Sequence, residues 1–318
     1  MSLSVKDLTV TYGSTVALDS VDLTIATGER FAIMGSSGSG KSSLLRAIAG
    51  IVPSTGSVII DGVDVSQLPT HQRPIGLMFQ DYALFPHMNV VDNVAYGLRM
   101  QGIGRAERLA RARELLDLVG LADFESRDAG ALSGGEQQRV ALARTLAPEP
   151  SVVMFDEPLG SLDFALRESL LGQIRQIVGN LGTTSIYVTH DRGEAFAFSD
   201  RMAVLVDGAV ARVGSPQEVW RNPETVTVAR LIGHPNILPE GLGTGGPVSL
   251  PLEAVSHAEG GSHSGVVVDA TFTDGRYLVT VSLDGSNDRL TFLTNDRLTI
   301  ESSVDLAVDE TQTIPLTL

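Results

Sequence analysis

The sequence predicts an α/β domain with a mostly parallel sheet, followed by a small all-β domain. Two runs, 151–158 (SVVMFDEP) and 183–190 (TTSIYVTH), are apolar at successive positions, as strands are when helices cover both faces of their sheet. Beyond residue 234 the composition changes to Gly/Ser-rich stretches and short strand-like runs separated by turns. We therefore expect two domains, residues 1–234 and 235–318.

The α/β domain opens with a predicted antiparallel edge in residues 3–33. Two runs, LSVKDLTVTYG and VALDSVDLTI, alternate apolar and polar residues before RFAIMG, a pattern typical of strands. Residues 41–50, KSSLLRAIAG, have helical spacing and end on glycine. A strand, a Gly-rich loop and a helix are therefore expected to follow one another.

A helical subdomain is predicted at about 88–147. Within it, RAERLARARELLDLVGLADF places an apolar stripe on one side of a helix and arginines and glutamates on the other. The stripe consists of Leu109, Ala112, Leu115, Leu116 and Val119. Gly120 is expected to end this helix, because glycine tolerates the left-handed backbone of a helix end.

The chain closes with predicted hairpins and short strands. Residues 201–214, RMAVLVDGAVARVG, predict a hairpin with Asp207-Gly208 at its turn. Residues 235–318 carry twelve acidic and three basic side chains, so this segment holds −9 of the formal net charge of −15. A small, acidic, β-barrel-like domain is the expectation here.

Composition excludes several classes of function. The chain has no cysteine, which excludes disulfides, thiolate metal sites and cysteine nucleophiles. A net charge of −15 argues against a general nucleic-acid binder. No run approaches the roughly 18 apolar residues of a membrane span, and the N-terminus lacks the layout of a secretory signal, so a cytoplasmic protein is expected.

The most specific motif is GSSGSGKS at 35–42, which matches G-x-x-x-x-G-K-[ST] between a predicted strand and a predicted helix. Backbone N–H groups of such a loop wrap phosphates, and the helix N-terminus adds partial positive charge. Lys41 is expected to bridge the β- and γ-phosphates of ATP, and Ser42 to ligate Mg²⁺. The predicted ATP-binding residues of this segment are Gly35, Ser36, Ser37, Gly38, Ser39, Gly40, Lys41, Ser42 and Ser43. The alternative is a Gly/Ser turn that matches by chance.

A second motif, VVMFDEP, is an apolar strand that ends in Asp156 and Glu157. An acidic residue at the carboxyl end of a parallel strand lies at the mouth of a nucleotide crevice. Asp156 is expected to hold Mg²⁺, and Glu157 to polarise the water that attacks the γ-phosphorus. The alternative is that the Asp-Glu pair caps a helix.

The motif LSGGEQQR at 132–139 points to a dimer. Its SGG run opens a predicted helix, so Ser133, Gly134 and Gly135 form a second anion site. One chain does not need two clamps for one γ-phosphate. Each protomer is therefore expected to offer this clamp to the ATP on its partner.

These motifs, in this order, resemble the ATP-binding-cassette (ABC) family over residues 3 to about 233. The resemblance implies a P-loop NTPase core, with the small β-domain as an OB/TOBE-like appendage. The matching motifs are GSSGSGKS as Walker A, LSGGEQQR as the signature, VVMFDEP as Walker B, SLD at 161–163, His190 in YVTHD as the switch histidine, Gln80 in LMFQDYALFP as the Q-loop, and Tyr12 in TYG.

The resemblance also implies individual roles. Gln80 would contact Mg²⁺ and the attacking water, and His190 would contact the γ-phosphate. Tyr12 would stack on adenine. Asp163 and Gln137 would belong, with the signature residues, to the interface between two copies. The plainer alternatives are a surface polar residue for Gln80, a strand-end cap for His190 and a core aromatic for Tyr12.

The partner of this ATPase is expected to be a membrane permease. Large apolar residues near the Q-loop would, if exposed together, form a socket for another protein's helix, and the alternative is that they are core residues of the helical region. They are Tyr82, Leu84, Phe85, Met88, Tyr96 and Met100. FPHMNVVDNVAYGL, HDRGEA and LIGHPNILPE resemble importer subunits for ferric iron, thiamine, polyamines or sulfate, and the β-domain resembles a short form of their regulatory domain.

The prediction is thus an ATP-hydrolysing, Mg²⁺-dependent homodimer bound to permease subunits at the cytoplasmic face of a membrane, and served indirectly by a solute-binding protein. No nucleic-acid partner is expected. The alternatives are the ATPase of an exporter and a soluble cassette ATPase that acts on DNA or ribosomes. The second would predict duplicated cassettes, a coiled-coil insertion or a basic surface, which this sequence lacks.

Overall fold

The computed structural model describes residues 2–160, 163–238 and 246–318. The predictions for Ser161 and Leu162 of the SLD motif, and for much of the Gly-rich stretch after residue 238, lie outside these residues. The chain divides into two compact units, one up to Pro216 and one from Gln217. The domain boundary predicted at residue 234 stays a prediction.

Two sheets build the first unit. Their strands are β1 (Leu3–Tyr12), β2 (Thr15–Ile25), β3 (Arg30–Met34), β4 (Thr55–Ile60), β5 (Val63–Asp64), β6 (Ile75–Met78), β7 (Val152–Asp156), β8 (Thr184–Thr189), β9 (Arg201–Val206) and β10 (Ala209–Gly214). An antiparallel sheet has the order β2-β1-β4-β5, and the larger sheet has the order β10-β9-β3-β8-β7-β6. The larger sheet is parallel from β9 to β6, which confirms the predicted architecture.

The described residues contain nine α-helices, of which the first seven lie in the first unit. They are α1 (Lys41–Ile48), α2 (Val90–Val94), α3 (Tyr96–Met100), α4 (Arg105–Leu118), α5 (Gly134–Leu146), α6 (Phe164–Leu181), α7 (Arg192–Phe198), α8 (Pro216–Arg221) and α9 (Val226–Ile232). In the part of the chain that is described, none of these helices is long and apolar enough to cross a membrane.

The predicted helical subdomain is present as α2 to α5. The stripe on α4 packs into one apolar core, where Ala112, Leu115 and Leu116 are at most 1% exposed. The helix ends at Leu118, and Gly120 follows with φ +69°. The helix end therefore lies where the glycine predicted it.

Parallel pairing brings four chain segments to one edge of the larger sheet. Strands β3, β6, β7 and β8 run in the same direction, and all five residues of β7 and all six of β8 are buried. The loop at Gly35, the segment at Gln80, the acid pair at Asp156 and the histidine at His190 each follow the carboxyl end of one of these strands. This edge is where ligands bind in open α/β sheets.

The second unit is mostly β structure. Its strands are β11 (Asn236–Leu238), β12 (Val248–Leu250), β13 (Val255–His257), β14 (His263–Thr273), β15 (Arg276–Leu283), β16 (Arg289–Thr294), β17 (Ser303–Val308) and β18 (Ile314–Pro315). The sheets have the orders β11-β12-β18 and β13-β17-β14-β15-β16. Phe292 and Leu306, both 0% exposed, lie in their shared apolar core. The prediction of a small all-β domain is confirmed.

Candidate active site

The Gly-rich loop between β3 and α1 closes tightly on itself. The Lys41 ammonium donates hydrogen bonds to the carbonyl oxygens of Gly35 at 2.9 Å and Ser36 at 2.8 Å. A Cβ on Gly35 would lie 2.4 Å from the Leu205 carbonyl oxygen, and Gly40 has φ +102°. These two positions therefore accept only glycine without rearrangement.

Lys41 is 5% exposed, and this burial lowers the pKa of its ammonium, while the Glu157 and Asp156 carboxylates act in the opposite direction. A buried cation held only by backbone carbonyls and nearby carboxylates is ready to pair with an anion. The neighbouring Ser39 hydroxyl is buried without a hydrogen-bond partner in the described structure. Both features fit a loop that binds phosphate.

Ser42 and Asp156 meet across the crevice. The Ser42 hydroxyl donates a hydrogen bond to Asp156 Oδ1 at 2.8 Å. Burial raises the pKa of the Asp156 carboxyl, and the Ser42 hydroxyl, Arg46 and Lys41 offset part of that effect. Hard oxygen donors of this type suit Mg²⁺, which is held by few protein ligands together with water and phosphate oxygens. The two residues therefore fit the predicted metal site.

Glu157 stands between Lys41 and His190. Its Oε2 lies 3.1 Å from His190 Nδ1, and its Oε1 lies 3.9 Å from the Lys41 ammonium. The backbone of Glu157 has φ +47°, an unusual value for a residue other than glycine, and its N–H donates to the Val188 carbonyl at 3.1 Å. This turn directs the carboxylate into the space next to the phosphate loop.

Gln80 lines a cavity of about 660 Å³ on the same edge of the sheet. The cavity is lined by Ser42, Arg46, Phe79, Gln80, Asp81, Tyr82, Gln137 and Asp156. The three predicted metal-binding residues thus share one cavity. Arg46 was not predicted to lie at this site, although it follows Ser42 by four residues on α1 and therefore projects from the same helix face.

The residues predicted to form a docking socket are not all exposed. Tyr82 is only 6% exposed and belongs to the core of the helical subdomain, so the prediction that it is an exposed socket residue is wrong. Its backbone is left-handed, with φ +57°. Phe85 and Tyr96 are partly exposed and their rings are in tilted contact, with centroids 4.4 Å apart, and Met100 is 58% exposed.

The signature residues open a helix, as predicted. Ser133 is the N-cap of α5 and forms a capping box with Glu136, whose Oε2 accepts the Ser133 N–H at 2.7 Å. These Ser133 hydrogen bonds lower the pKa of Glu136. Ser133 and Gly134 are exposed, whereas Gly135 is buried next to Leu166. The capped N-terminus of α5 therefore faces solvent at Ser133 and Gly134.

The remaining predicted residues lie at different places. Gln137 lines the cavity beside Gln80 of its own chain, and its amide donates to the Leu132 carbonyl at 3.2 Å. Asp163 caps α6 by accepting the Leu166 N–H at 3.0 Å. Tyr12 is 46% exposed, with its hydroxyl 3.4 Å from Ser43 Oγ.

The site therefore has two separate parts. The phosphate loop, Asp156, Glu157, His190 and Gln80 converge at the carboxyl edge of the parallel sheet, where a nucleoside triphosphate and a metal ion would fit. The hydrogen bonds of Ser133 in the described structure stay within its own capping box. The second anion site predicted at Ser133, Gly134 and Gly135 stays a prediction.

Comparison with known proteins agrees with this arrangement. The family model described as ABC transporter matches residues 18–160. The "Fe(3+) ions import ATP-binding protein FbpC" of Streptomyces coelicolor is 53% identical over 236 residues, 74% of this chain and 68% of that protein. FbpC of Escherichia coli K12 is 45% identical over 238 residues, 74% of this chain and 68% of that protein. The "Putrescine transport ATP-binding protein PotG" of the same bacterium is 44% identical over 236 residues, 74% of this chain and 63% of that protein.

Solved structures show the same fold. A dimeric structure of the ATP-binding cassette MJ0796 in a post-hydrolysis state with ADP and phosphate superposes with a TM-score of 0.60 at 33% identity. It covers 67% of this chain and 98% of the cassette. Sequence motifs, site geometry, relatives and fold therefore agree that this chain is an ATPase of the ABC transporter family.

Proposed function

We propose that this chain is the ATP-hydrolysing subunit of an importer for ferric iron. The family assignment makes it an ATPase, and several relatives, 44% to 53% identical, carry the name of Fe(3+) import ATP-binding proteins. The observation that carries the proposed mechanism is the position of Glu157 between Lys41 and His190. A putrescine-class solute is the second candidate, because PotG is nearly as similar.

The first step would be ATP binding at Lys41. The ammonium would exchange the carbonyl oxygens of Gly35 and Ser36 for the β- and γ-phosphates of ATP, which offer a stronger charge-assisted hydrogen bond. Ser42, Asp156 and Gln80 would hold a magnesium ion, whose chemistry is to neutralise phosphate charge. Ser36 to Gly40 would wrap the phosphates with their backbone N–H groups.

Glu157 would then act as the general base. Its carboxylate would accept a proton from a water aligned with the γ-phosphorus. His190, hydrogen-bonded to that carboxylate through Nδ1, would hold it in place and direct its other ring nitrogen toward the phosphate. Gln80 would orient the same water from the cavity side.

Two copies of the chain would complete each site. The N-terminus of α5, where Ser133 and Gly134 are exposed, would bind the γ-phosphate of the ATP held by the partner's phosphate loop, together with the backbone of Gly135. Asp163 and Gln137 would lie near this interface, and Tyr12 would stack on adenine. ATP would therefore hold the dimer closed, and hydrolysis would release it.

The permease would dock beside the Q-loop. The contacting rings of Phe85 and Tyr96 and the exposed Met100 offer an apolar surface for a helix of another protein. Docking there would place the chain at the cytoplasmic face of the membrane, with the solute-binding protein on the other side. A regulatory role for the acidic β-domain remains part of this proposal, and no nucleic-acid partner is included.

Uptake measurements test the proposed solute. In a strain that lacks this gene, we expect the wild-type chain to restore uptake of radiolabelled ferric iron, and Glu157→Gln to fail. Glu114→Gln, which alters an exposed carboxylate on α4, is the matched control and should restore uptake. Restored putrescine uptake without ferric iron uptake would favour the second candidate and contradict the first.

A further inference from the structure

The segment that follows Gln80 has a strained backbone. Tyr82 and Ala83 have φ values of +57° and +44°, and the Ala83 N–H bonds back to the Asp81 carbonyl at 2.6 Å. Residues other than glycine rarely adopt this left-handed backbone conformation, and two such residues in succession persist only when the surrounding structure holds them. Gln80 lies two residues before Tyr82, so the contacts that hold this turn bear on the position of Gln80.

Arg144, on the helix that Ser133 begins, makes those contacts. Its Nη2 donates to the Tyr82 carbonyl at 2.6 Å, and its Nη1 donates to the Ala83 carbonyl at 2.7 Å. The guanidinium also lies 5.5 Å from the centroid of the Phe85 ring. Both strained residues are thus held by one planar fork.

The surroundings of Arg144 point to a dedicated contact. Burial lowers the pKa of its guanidinium, and the Asp81 carboxylate acts in the opposite direction. Removing a cation from water costs free energy, and the two short hydrogen bonds to the Tyr82 and Ala83 carbonyls offset that cost. A surface arginine that merely packed against the loop would not bear this cost.

The next part of the loop is held by the same subdomain. Asn93, fully buried on α2, accepts the Phe85 N–H at 2.8 Å and donates to the carbonyls of Phe85, Met88 and Asn89. The chain from Tyr82 to Asn89 is therefore tied to α2 and α5. Gln80 lies just before this tied segment and just after β6.

We propose that Arg144 is a positioning residue for ATP hydrolysis. By holding Tyr82 and Ala83, it sets the direction of Gln80 and links that side chain to the helix that carries the signature clamp. This inference rests on the proposed role of Gln80 at the attacking water. Arg144 itself touches no substrate, so its loss should reduce turnover without reducing ATP affinity.

Steady-state ATPase kinetics on the full chain test this role. Arg144→Met keeps the length of the side chain and removes its donors, and we expect kcat to fall by about tenfold to a hundredfold, as misplacement of a reacting group by about 1 Å does. KM for ATP should stay near the wild-type value. The kcat of Arg144→Lys should lie between those of the wild type and Arg144→Met, because a single ammonium cannot donate to both carbonyls with the geometry of the planar guanidinium. Arg113→Met, which removes an exposed ion pair with Glu125, is the matched control and should keep wild-type kcat.

A double substitution separates positioning from general stability. If Arg144 acts through Gln80, then Arg144→Met should slow a Gln80→Ala protein no further, because the two losses are not independent. Hydrogen–deuterium exchange should also show faster exchange at Ala83 and Leu84 in Arg144→Met.

Three results would overturn the inference. They are losses that multiply in the double variant, unchanged exchange at the turn, and a raised KM with kcat retained. Wild-type turnover in Gln80→Ala would refute the proposed role of Gln80 itself, and with it the premise. If Arg144→Met does not fold, Arg144→Lys carries the same measurements.

Discussion

Replacing Glu157 by glutamine isolates the chemistry of the proposed site, because it keeps the shape of the side chain and removes its charge and basicity. In the structure, this carboxylate lies 3.1 Å from His190 Nδ1 and 3.9 Å from the Lys41 ammonium. A glutamine amide can still contact the imidazole. The substitution should therefore leave the backbone turn and the phosphate loop in place.

The expected loss of rate follows from the role of a general base. Such a group contributes about 10² to 10⁴ in rate, or about 3–5 kcal/mol of activation free energy. The affinity for ATP, in contrast, should not fall. At an effective dielectric constant of about 20, a carboxylate and an ammonium separated by 3.9 Å attract by at most about 4 kcal/mol. Since the Glu157 side chain is 22% exposed, solvent reduces this value further.

Loss of that attraction frees Lys41 for the phosphates and removes a negative charge next to them. We therefore expect Glu157→Gln to bind ATP at least as tightly as the wild type, to hydrolyse it more than about a hundred times more slowly, and to accumulate as an ATP-dependent dimer. Phosphate release and size-exclusion chromatography with and without ATP measure these quantities. Wild-type turnover, or a monomer at saturating ATP, would refute the reasoning.

Three further predictions address stability and binding. Phe292→Ala removes a fully buried ring and should lower the free energy of unfolding of the second unit by about 3–5 kcal/mol. Denaturation of this unit can be followed by the fluorescence of Trp220, which is the chain's one tryptophan and lies in the same unit. An unchanged denaturation midpoint would contradict this prediction. Hydrogen bonds from Arg30 lower the pKa of the Asp200 carboxyl, so folding gains stability above the unfolded-state pKa and loses it as the pH falls. Asp200→Asn should therefore lower the free energy of unfolding by at most about 1 kcal/mol near neutral pH and by progressively less in acid, and a loss that grows in acid would contradict this sign. Lys41→Met should weaken ATP binding by at least about 2 kcal/mol in a titration, and unchanged affinity would exclude its contact with phosphate.

Local sequence patterns were sufficient to predict the parallel sheet, the Gly-rich loop and the acid pair that follows β7, whereas Gln80, His190 and Tyr12 were expected only from the family resemblance. The buried strands at 152–156 and 184–189 lack alternation, so their parallel pairing followed from hydrophobicity alone. Parallel strands share one edge for their carboxyl ends, which predicted that Asp156 lies at the nucleotide crevice. The place of His190 was expected only from the family resemblance. The stripe that ends at Gly120 similarly predicted the bounds of a helix.

Contacts between distant residues were beyond these patterns. The left-handed backbone at Tyr82 and Glu157 leaves no mark in the sequence, because neither residue type favours it. Tyr82 was assigned to an exposed surface because a loop has no periodicity that reports which side chains turn inward. The bonds from Arg144 to the Q-loop join residues 61 and 62 positions apart in the chain, and only the fold brings them together.

Mixing two inactive variants tests most directly the claim that each ATP is shared between two copies. Lys41→Met disables the phosphate loop, and Ser133→Arg blocks the signature clamp. A mixed dimer has one site with both defects and one site with neither, so the mixture should hydrolyse ATP at up to about a quarter of the wild-type rate, with each variant inactive alone. If each site were completed within a single chain, every site in the mixture would retain one of the two defects. A mixture as inactive as either variant alone would therefore contradict the account.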